Sequence, residues 1–236
     1  MIDPESPEAY GLRRHLARSF GVKLSSDIYE RICDLGVTPP LDRERRRRLA
    51  VIRAAGILFI HIPKNAGMSV SSALYARQVK HSTVRYYQRV APDLIAQLRS
   101  FAVLRDPIER FLSAYHYARA GGSADNRVSL PFRRDYRAFE SIEDALDHIE
   151  RAELPYGVDH IFRPQSWYIL DASGKVAVDD LLLMGDVSAY LAQRTGRPLP
   201  WVNCGDGSFE APTSAQVDRL RRLYRRDFEL FEALCR

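Results

Sequence analysis

The feature that most constrains this chain is an apolar run that ends abruptly in a short polar loop. Residues 57–62 are almost all apolar, as expected of a strand buried on both faces of a parallel sheet. Residues 63–67 (PKNAG) end the run, and residues 69–77 contain no helix breaker and place Val70 and Leu74 on one helix face. The sequence therefore predicts a strand, a tight loop and a helix.

Strands and helices alternate along the rest of the chain. Further strands are predicted at residues 79–86, 101–104 and 181–184, and helices at residues 93–98, 107–117, 141–152 and from residue 213 onward. Asp106 is the expected N-cap of the helix that Pro107 opens. This alternation predicts an α/β fold with a central, mostly parallel β-sheet flanked by helices.

The first part of the chain is predicted to be a helical extension. Residues 7–54 have a helical pattern that is broken at Gly21 and at residues 38–40 (TPP). We expect residues 1–54 to pack on a core domain formed by residues 55–236. The arginine run at residues 45–48 lies in the last of these helices, either on a solvated face or in contact with substrate.

Composition argues against several classes of function. The net charge is +5 and the basic residues are mostly arginine, which suits phosphate, sulfate or acidic glycan partners. These residues are interspersed with acidic ones and lack zinc-finger, basic-zipper and RNA-binding patterns, so nucleic acid is not expected. Cys33, Cys204 and Cys235 lack paired spacing and are predicted to be free thiols. Without a membrane-length apolar run or a secretory signal, we expect a soluble cytoplasmic protein.

The loop after the first strand is a candidate anion site. A strand that leads through a tight loop into a helix presents several backbone N–H groups at one point. Gly67 allows close approach of a phosphate, Ser69 can donate its hydroxyl, and Lys64 adds a positive charge. Because Lys64 precedes the glycine, the loop is not a Walker A motif, and ATP hydrolysis is disfavoured. The alternative is a plain strand-to-helix turn with an exposed lysine.

A second candidate site follows the strand at residues 101–104. Arg105 comes directly after that strand, and Ser113 lies in the helix that follows. Neighbouring parallel strands end at the same edge of a sheet, so Arg105 is expected beside the first loop, where a guanidinium and a hydroxyl can hold a phosphate. Arg110 and Tyr117 share the helix face of Ser113, which is expected to look toward the ligand or the start of the helix. Alternatively, Arg110 orients the loop through a salt bridge.

Residues 59–69 (FIHIPKNAGMS) and 103–115 (VLRDPIERFLSAY) together resemble the two segments with which carbohydrate-type sulfotransferases bind 3'-phosphoadenosine 5'-phosphosulfate (PAPS). The resemblance continues through residues 81–85, 160–165 and 224–227, and so covers the chain from about residue 57 to its end. It implies a P-loop-NTPase-like fold. It also implies transfer of a sulfuryl group from PAPS to an acceptor hydroxyl, with a carbohydrate or glycoconjugate as the expected acceptor.

The resemblance also assigns roles to the two anion sites. The first loop would hold the 5'-phosphosulfate, and Arg105 with Ser113 would hold the 3'-phosphate of PAPS and of its product PAP. The first loop comprises Lys64, Asn65, Ala66, Gly67, Met68 and Ser69. Asn65 and Met68 depart from the commoner family pattern, in which threonine and a small or hydroxyl residue are usual. Position 68 can therefore contribute only its backbone N–H.

Sulfuryl transfer requires an in-line acceptor hydroxyl, neutralisation of the bridging oxygen and removal of the hydroxyl proton. Lys64 suits the bridging oxygen. His81 is the expected base, because it lies where histidine-using members of the family carry theirs; other members use a glutamate. His160 is the alternative base, or it contacts the acceptor together with Arg163 and Gln165, or it belongs to a turn with a purely structural role.

The remaining histidine of interest, His61, lies inside the first apolar run and is expected to be a packed core group. The histidines lack metal-ligand spacing, so no metal is expected. Two other functions stay open: a nucleotide-dependent kinase of related fold, and a catalytically silent protein that binds PAPS or PAP. The absence of a Walker-type lysine argues against the kinase.

Overall fold

The computed structural model describes residues 15–123, 126–196 and 211–236. Within these ranges the chain forms a three-stranded, fully parallel sheet flanked by helices, which confirms the predicted α/β class. The strands are β1 (Ile57–Ile60), β2 (Arg99–Leu104) and β3 (Asp180–Leu183), in the spatial order β1-β2-β3. Because β2 is the central strand, the segment that follows its carboxyl end lies between the segments that follow β1 and β3.

Helices account for most of the other described residues. Besides the helical residues 15–19, the α-helices are α1 (Ile28–Asp34), α2 (Arg43–Ala55), α3 (Gly67–Tyr75), α4 (Val84–Val90), α5 (Pro92–Gln97), α6 (Pro107–Arg119), α7 (Leu130–Arg137), α8 (Ile142–Glu150), α9 (Gln165–Ile169), α10 (Val187–Thr195), α11 (Ser214–Leu223) and α12 (Arg225–Leu234). Short 3-10 turns cover Ser25–Asp27, Pro155–Gly157, His160–Phe162 and Met184–Asp186. No helix in this part of the chain has the length and hydrophobicity needed to span a bilayer.

The strand predicted at residues 79–86 is wrong. Residues 79–83 form an irregular connection, and α4 begins at Val84. The side chain of Thr83 accepts a hydrogen bond from the backbone N–H of Tyr86 at 3.0 Å, and this N-cap outweighs the strand preference of the valine and tyrosines that follow. His81 therefore lies on a connecting segment.

The final helix, predicted as one, is two helices that meet at Tyr224. Tyr224 leaves helical geometry at φ −113° and ψ 28°, and its hydroxyl donates to the backbone carbonyl of Phe162 at 2.8 Å. The apolar spacing after residue 213 predicts one buried stripe along an amphipathic helix. Of its members, Leu220, Tyr224 and Phe228 are buried, whereas Val217 and Phe231 are partly exposed. The break gives α12 its own direction and brings Asp227 into the interior of the protein.

Apolar side chains form two large clusters among the described residues. One surrounds the sheet and includes Leu58 of β1 and Phe101 of β2, and the other joins α6 to α8 and the C-terminal helices. Each fully buried side chain of this size contributes about 1.5–3 kcal/mol, so the strand ends are held firmly. Cys33 and Cys235 are free thiols, as predicted, while Cys204 lies outside the described residues.

Candidate functional site

The loop between β1 and α3 has the backbone of an anion site. Lys64 (φ 70°) and Ala66 (φ 55°) both adopt the left-handed region, which non-glycine residues rarely occupy. Such residues cost about 1–3 kcal/mol each and concentrate at functional sites. Ala66 is the N-cap of α3, and its methyl side chain forms no capping hydrogen bond. The first-turn N–H groups of α3 are therefore a candidate anion site.

A buried amide network joins the first loop to the end of β2. The side-chain amide of Asn65 donates to the carbonyl of Val103 at 2.7 Å and to Oε1 of Gln165 at 2.6 Å. The same Gln165 oxygen accepts from the backbone N–H of Arg105 at 3.1 Å, and its amide donates to the Arg105 carbonyl at 2.9 Å. Gln165 thus fixes the two predicted anion-binding segments relative to each other.

Gly67 is required by side-chain packing rather than by its backbone angles. A Cβ at this position would lie 1.9 Å from two ring atoms of His61. His61 is buried, as predicted, and its Nδ1 hydrogen-bonds the Val79 carbonyl at 2.9 Å. The His61 imidazole therefore packs directly against the loop between β1 and α3. Farther along, the Met68 sulfur accepts a hydrogen bond from the side-chain amide of Asn126 at 3.5 Å.

Positive charge converges on the loop. Burial, together with nearby Arg105 and Arg110, lowers the pKa of Lys64 to about 8. The Lys64 ammonium lies 4.3 Å from the ring centre of Tyr117. Arg110 is buried and donates from Nε to the Pro63 carbonyl at 3.1 Å, while its Nη2 has no hydrogen-bond partner among the described residues. An anion bound between these side chains would offset the repulsion between their positive charges.

Helix α6 presents one face to this loop. Asp106 caps the helix by accepting from two backbone N–H groups at 2.9 Å, as predicted. Arg110 and Tyr117 both contact the first loop, and the partly buried Ser113 lies between them on the same face. Arg110 holds the loop through a carbonyl oxygen rather than through a salt bridge. Arg105 pairs with Glu109 at 3.2 Å.

Three histidines from separate segments form a chain of rings beside the loop. The ring centres of His61 and His81 are 4.1 Å apart, and those of His81 and His160 are 5.3 Å apart. Burial, and then the neighbouring His61 and His160, hold the pKa of His81 well below its usual range. Nδ1 of His81 lies 3.4 Å from the His61 carbonyl, which can only accept, so Nδ1 carries the proton and Nε2 keeps its lone pair.

The three expected acceptor contacts have different surroundings. About a quarter of the His160 side chain is exposed, and its Nε2 is 3.7 Å from Asp159. Arg163 is buried and forms an ion pair with Asp27, and Gln165 is occupied by the amide network. The structure therefore brings His160 to the site surface and keeps Arg163 and Gln165 in the interior.

Sequence reasoning missed the role of Asp227. Its carboxylate accepts from the backbone N–H groups of Gln165 at 2.6 Å and Ser166 at 2.8 Å, and so caps α9. Burial raises the pKa of Asp227, whereas Arg110 and these hydrogen bonds oppose the rise. The amphipathic pattern gave no signal of a buried carboxylate. In the described part of the chain, no group of three histidine, cysteine or acidic side chains is suited to hold a metal.

Comparison with models of protein families places much of the chain in a known family. A model of the sulfotransferase family matches residues 47–170, slightly more than half of the chain. The matched range contains both predicted anion-binding segments and all three histidines of the ring chain. No curated protein and no solved structure is significantly similar to the chain.

Proposed function

Because the chain belongs to the sulfotransferase family, we propose that it transfers a sulfuryl group from PAPS to a hydroxyl of a carbohydrate or glycoconjugate. The observation that supports this donor best is the convergence of Lys64, Arg105 and Arg110 near the N-terminus of α3, whose N-cap Ala66 supplies no side-chain hydrogen bond. PAPS supplies the sulfuryl group and carries anions at its 5' and 3' positions. The two segments lie side by side and are joined by the hydrogen bonds of Asn65 and Gln165, so they suit a ligand with two such anions.

The residues present fit this ligand. The backbone N–H groups of residues 64–69 and the Lys64 ammonium would hold the phosphosulfate at the N-terminus of α3, where the N-cap Ala66 has no hydrogen-bonding side chain. Arg105 and Ser113 would hold the 3'-phosphate. The buried Nη2 of Arg110, which has no hydrogen-bond partner in the described part of the chain, adds a donor and a charge behind the loop.

Lys64 and His81 would carry the proton and charge movements of the reaction. With a pKa of about 8, Lys64 is protonated at neutral pH and can neutralise the bridging oxygen. The lowered pKa of His81 keeps its Nε2 unprotonated and able to take the hydroxyl proton. His81 contacts His61, whose ring packs against Gly67 of the loop, so the base lies one ring away from the donor site.

Calorimetric titration with PAP, with ADP as the control ligand, tests the donor. Arg105→Ala removes a charge-assisted contact worth about 1.5–3 kcal/mol, so PAP affinity should fall roughly 10- to 150-fold. Arg99→Ala is the matched control, because Arg99 lies at the opposite end of β2 and pairs with Asp180 at 2.6 Å. Equal affinities for PAP and ADP, or no binding of either, would contradict the proposal and favour a kinase or an unrelated ligand.

A further inference from the structure

A short N-terminal segment that precedes the family match places acidic side chains against the segments that carry the histidines. Glu30 of α1 is buried, and its carboxylate accepts from the hydroxyl of Thr83 at 2.7 Å and from the Thr83 backbone N–H at 3.3 Å. Thr83 is two residues beyond His81. One side chain thus holds both the backbone and the side chain at the end of the His81 segment.

Asp27 makes the corresponding contact with the His160 segment. It forms a buried ion pair with Arg163, in which Nη1 of Arg163 lies 3.1 Å from Oδ1 of Asp27. Arg163 also donates to the carbonyls of Pro155 at 2.9 Å and Val158 at 3.2 Å. These bonds fasten the chain on both sides of His160.

A third carboxylate, seven residues after Asp27, strengthens this attachment. Asp34 accepts from Nε of Arg85 at 2.8 Å and from the hydroxyl of Tyr156 at 2.6 Å. Arg85 also donates to the carbonyl of Leu170 at 2.8 Å, at the end of α9. The acidic residues of this short segment therefore contact the chain around both histidines.

The two histidine segments depend on such external contacts. Residues 79–83 form neither helix nor strand, and residues 155–164 contain only short 3-10 turns. The hydrogen bond of the His81 ring to the His61 carbonyl is long, at 3.4 Å. The position of that ring is therefore set largely by how its segment is held.

We propose that Asp27 and Glu30 are positioning residues for the His81–His160 pair, so that the N-terminal segment is a working part of the active site. The catalytic importance of this pair rests on the proposed function. The contacts of Asp27 and Glu30 are observed independently of that function. Asp27 holds the His160 segment through Arg163, and Glu30 holds the His81 segment through Thr83.

The first test follows the imidazole C2–H resonances of the full chain by NMR, assigned with His81→Gln and His160→Gln. Glu30→Ala removes the acceptor for Thr83 and should shift the His81 resonance, while the reference resonance of His116 on α6 stays in place. Glu30→Gln retains one acceptor oxygen and should restore the wild-type position. Rescue by the conservative variant separates positioning from a general loss of packing.

The second test uses the other contact and does not depend on whether Glu30→Ala folds. The pair of substitutions Asp27→Asn and Arg163→Met removes both charges together, so no unpaired buried charge remains. It should shift the His160 resonance. Asp93→Asn is the matched control, because Asp93 forms an exposed ion pair with Arg53 at 2.7 Å. That variant should leave both histidine resonances unchanged.

PAP titration of the same variants distinguishes the two proposals. Shifted histidine resonances with wild-type PAP affinity support the positioning role. Unchanged His81 and His160 resonances in folded variants overturn it, whatever the PAP affinity. If the resonances shift but the wild type does not bind PAP, the positioning contacts are supported and the proposed function fails.

Discussion

Replacing Glu30 by glutamine is predicted to stabilise the protein at alkaline pH. Burial raises the pKa of Glu30 from its usual 4.5 to about 7, although hydrogen bonds from Thr83 oppose the rise. The folded chain then holds a proton that the unfolded chain releases. The stability from this group is complete below about pH 4.5 and is lost as the pH rises through about 7. The difference of about 2.5 pH units corresponds to about 3 kcal/mol.

Urea unfolding of the wild type and Glu30→Gln at equal ionic strength measures this effect. Glutamine mimics the protonated acid, so the free energies of unfolding should agree within about 1 kcal/mol at about pH 5, and the variant should be about 3 kcal/mol more stable at about pH 8.5. Subtracting the two free energies of unfolding cancels the contribution of groups that both proteins share. One such group is His61, whose lowered pKa of about 4 makes both proteins less stable as the pH falls. A variant less stable than the wild type at the alkaline pH would refute the reasoning.

Three further predictions concern the loop. Gly67→Ala places a Cβ 1.9 Å from the His61 ring, so thermal unfolding should show a free energy of unfolding that is lower by about 1–3 kcal/mol. Unchanged stability would contradict the packing argument. Gln165→Leu leaves a buried N–H of Asn65 without its acceptor, and urea unfolding should show a cost of about 1–3 kcal/mol; wild-type stability would exclude this role. PAP affinity measured by calorimetry should fall above about pH 8, because Lys64 loses its proton there, and Lys64→Met should abolish this pH dependence. A wild-type affinity that does not change with pH would argue against a contact between Lys64 and the ligand.

The geometry of the candidate anion loop could be predicted because its residues are close together in sequence. The apolar run at residues 57–62, then Lys64, Gly67 and the start of a helix all lie within residues 57–69. Arg105 could be placed beside that loop because parallel strands end at a common edge. The structure confirms this edge through β1 and β2, and the amide network of Gln165 adds the link between them.

The rest of the site depends on contacts between distant segments. Glu30 lies 53 residues from its partner Thr83, and Asp27 lies 136 residues from Arg163, so neither pairing leaves a local pattern. A single acid in a short helix resembles any solvated residue. The strand predicted around His81 was wrong for a local reason, because the N-cap at Thr83 was overlooked among residues that favour strands.

Sulfuryl transfer from PAPS to an acceptor hydroxyl can be measured directly. The full chain is incubated with radiolabelled PAPS and a panel of carbohydrate acceptors, and the label is followed into product. We expect labelled product with the wild type, and a roughly 10²–10⁴-fold slower transfer with His81→Gln while PAP affinity is retained. Tight PAP binding without transfer to any acceptor in the panel would contradict the proposed function and indicate a catalytically silent binding protein.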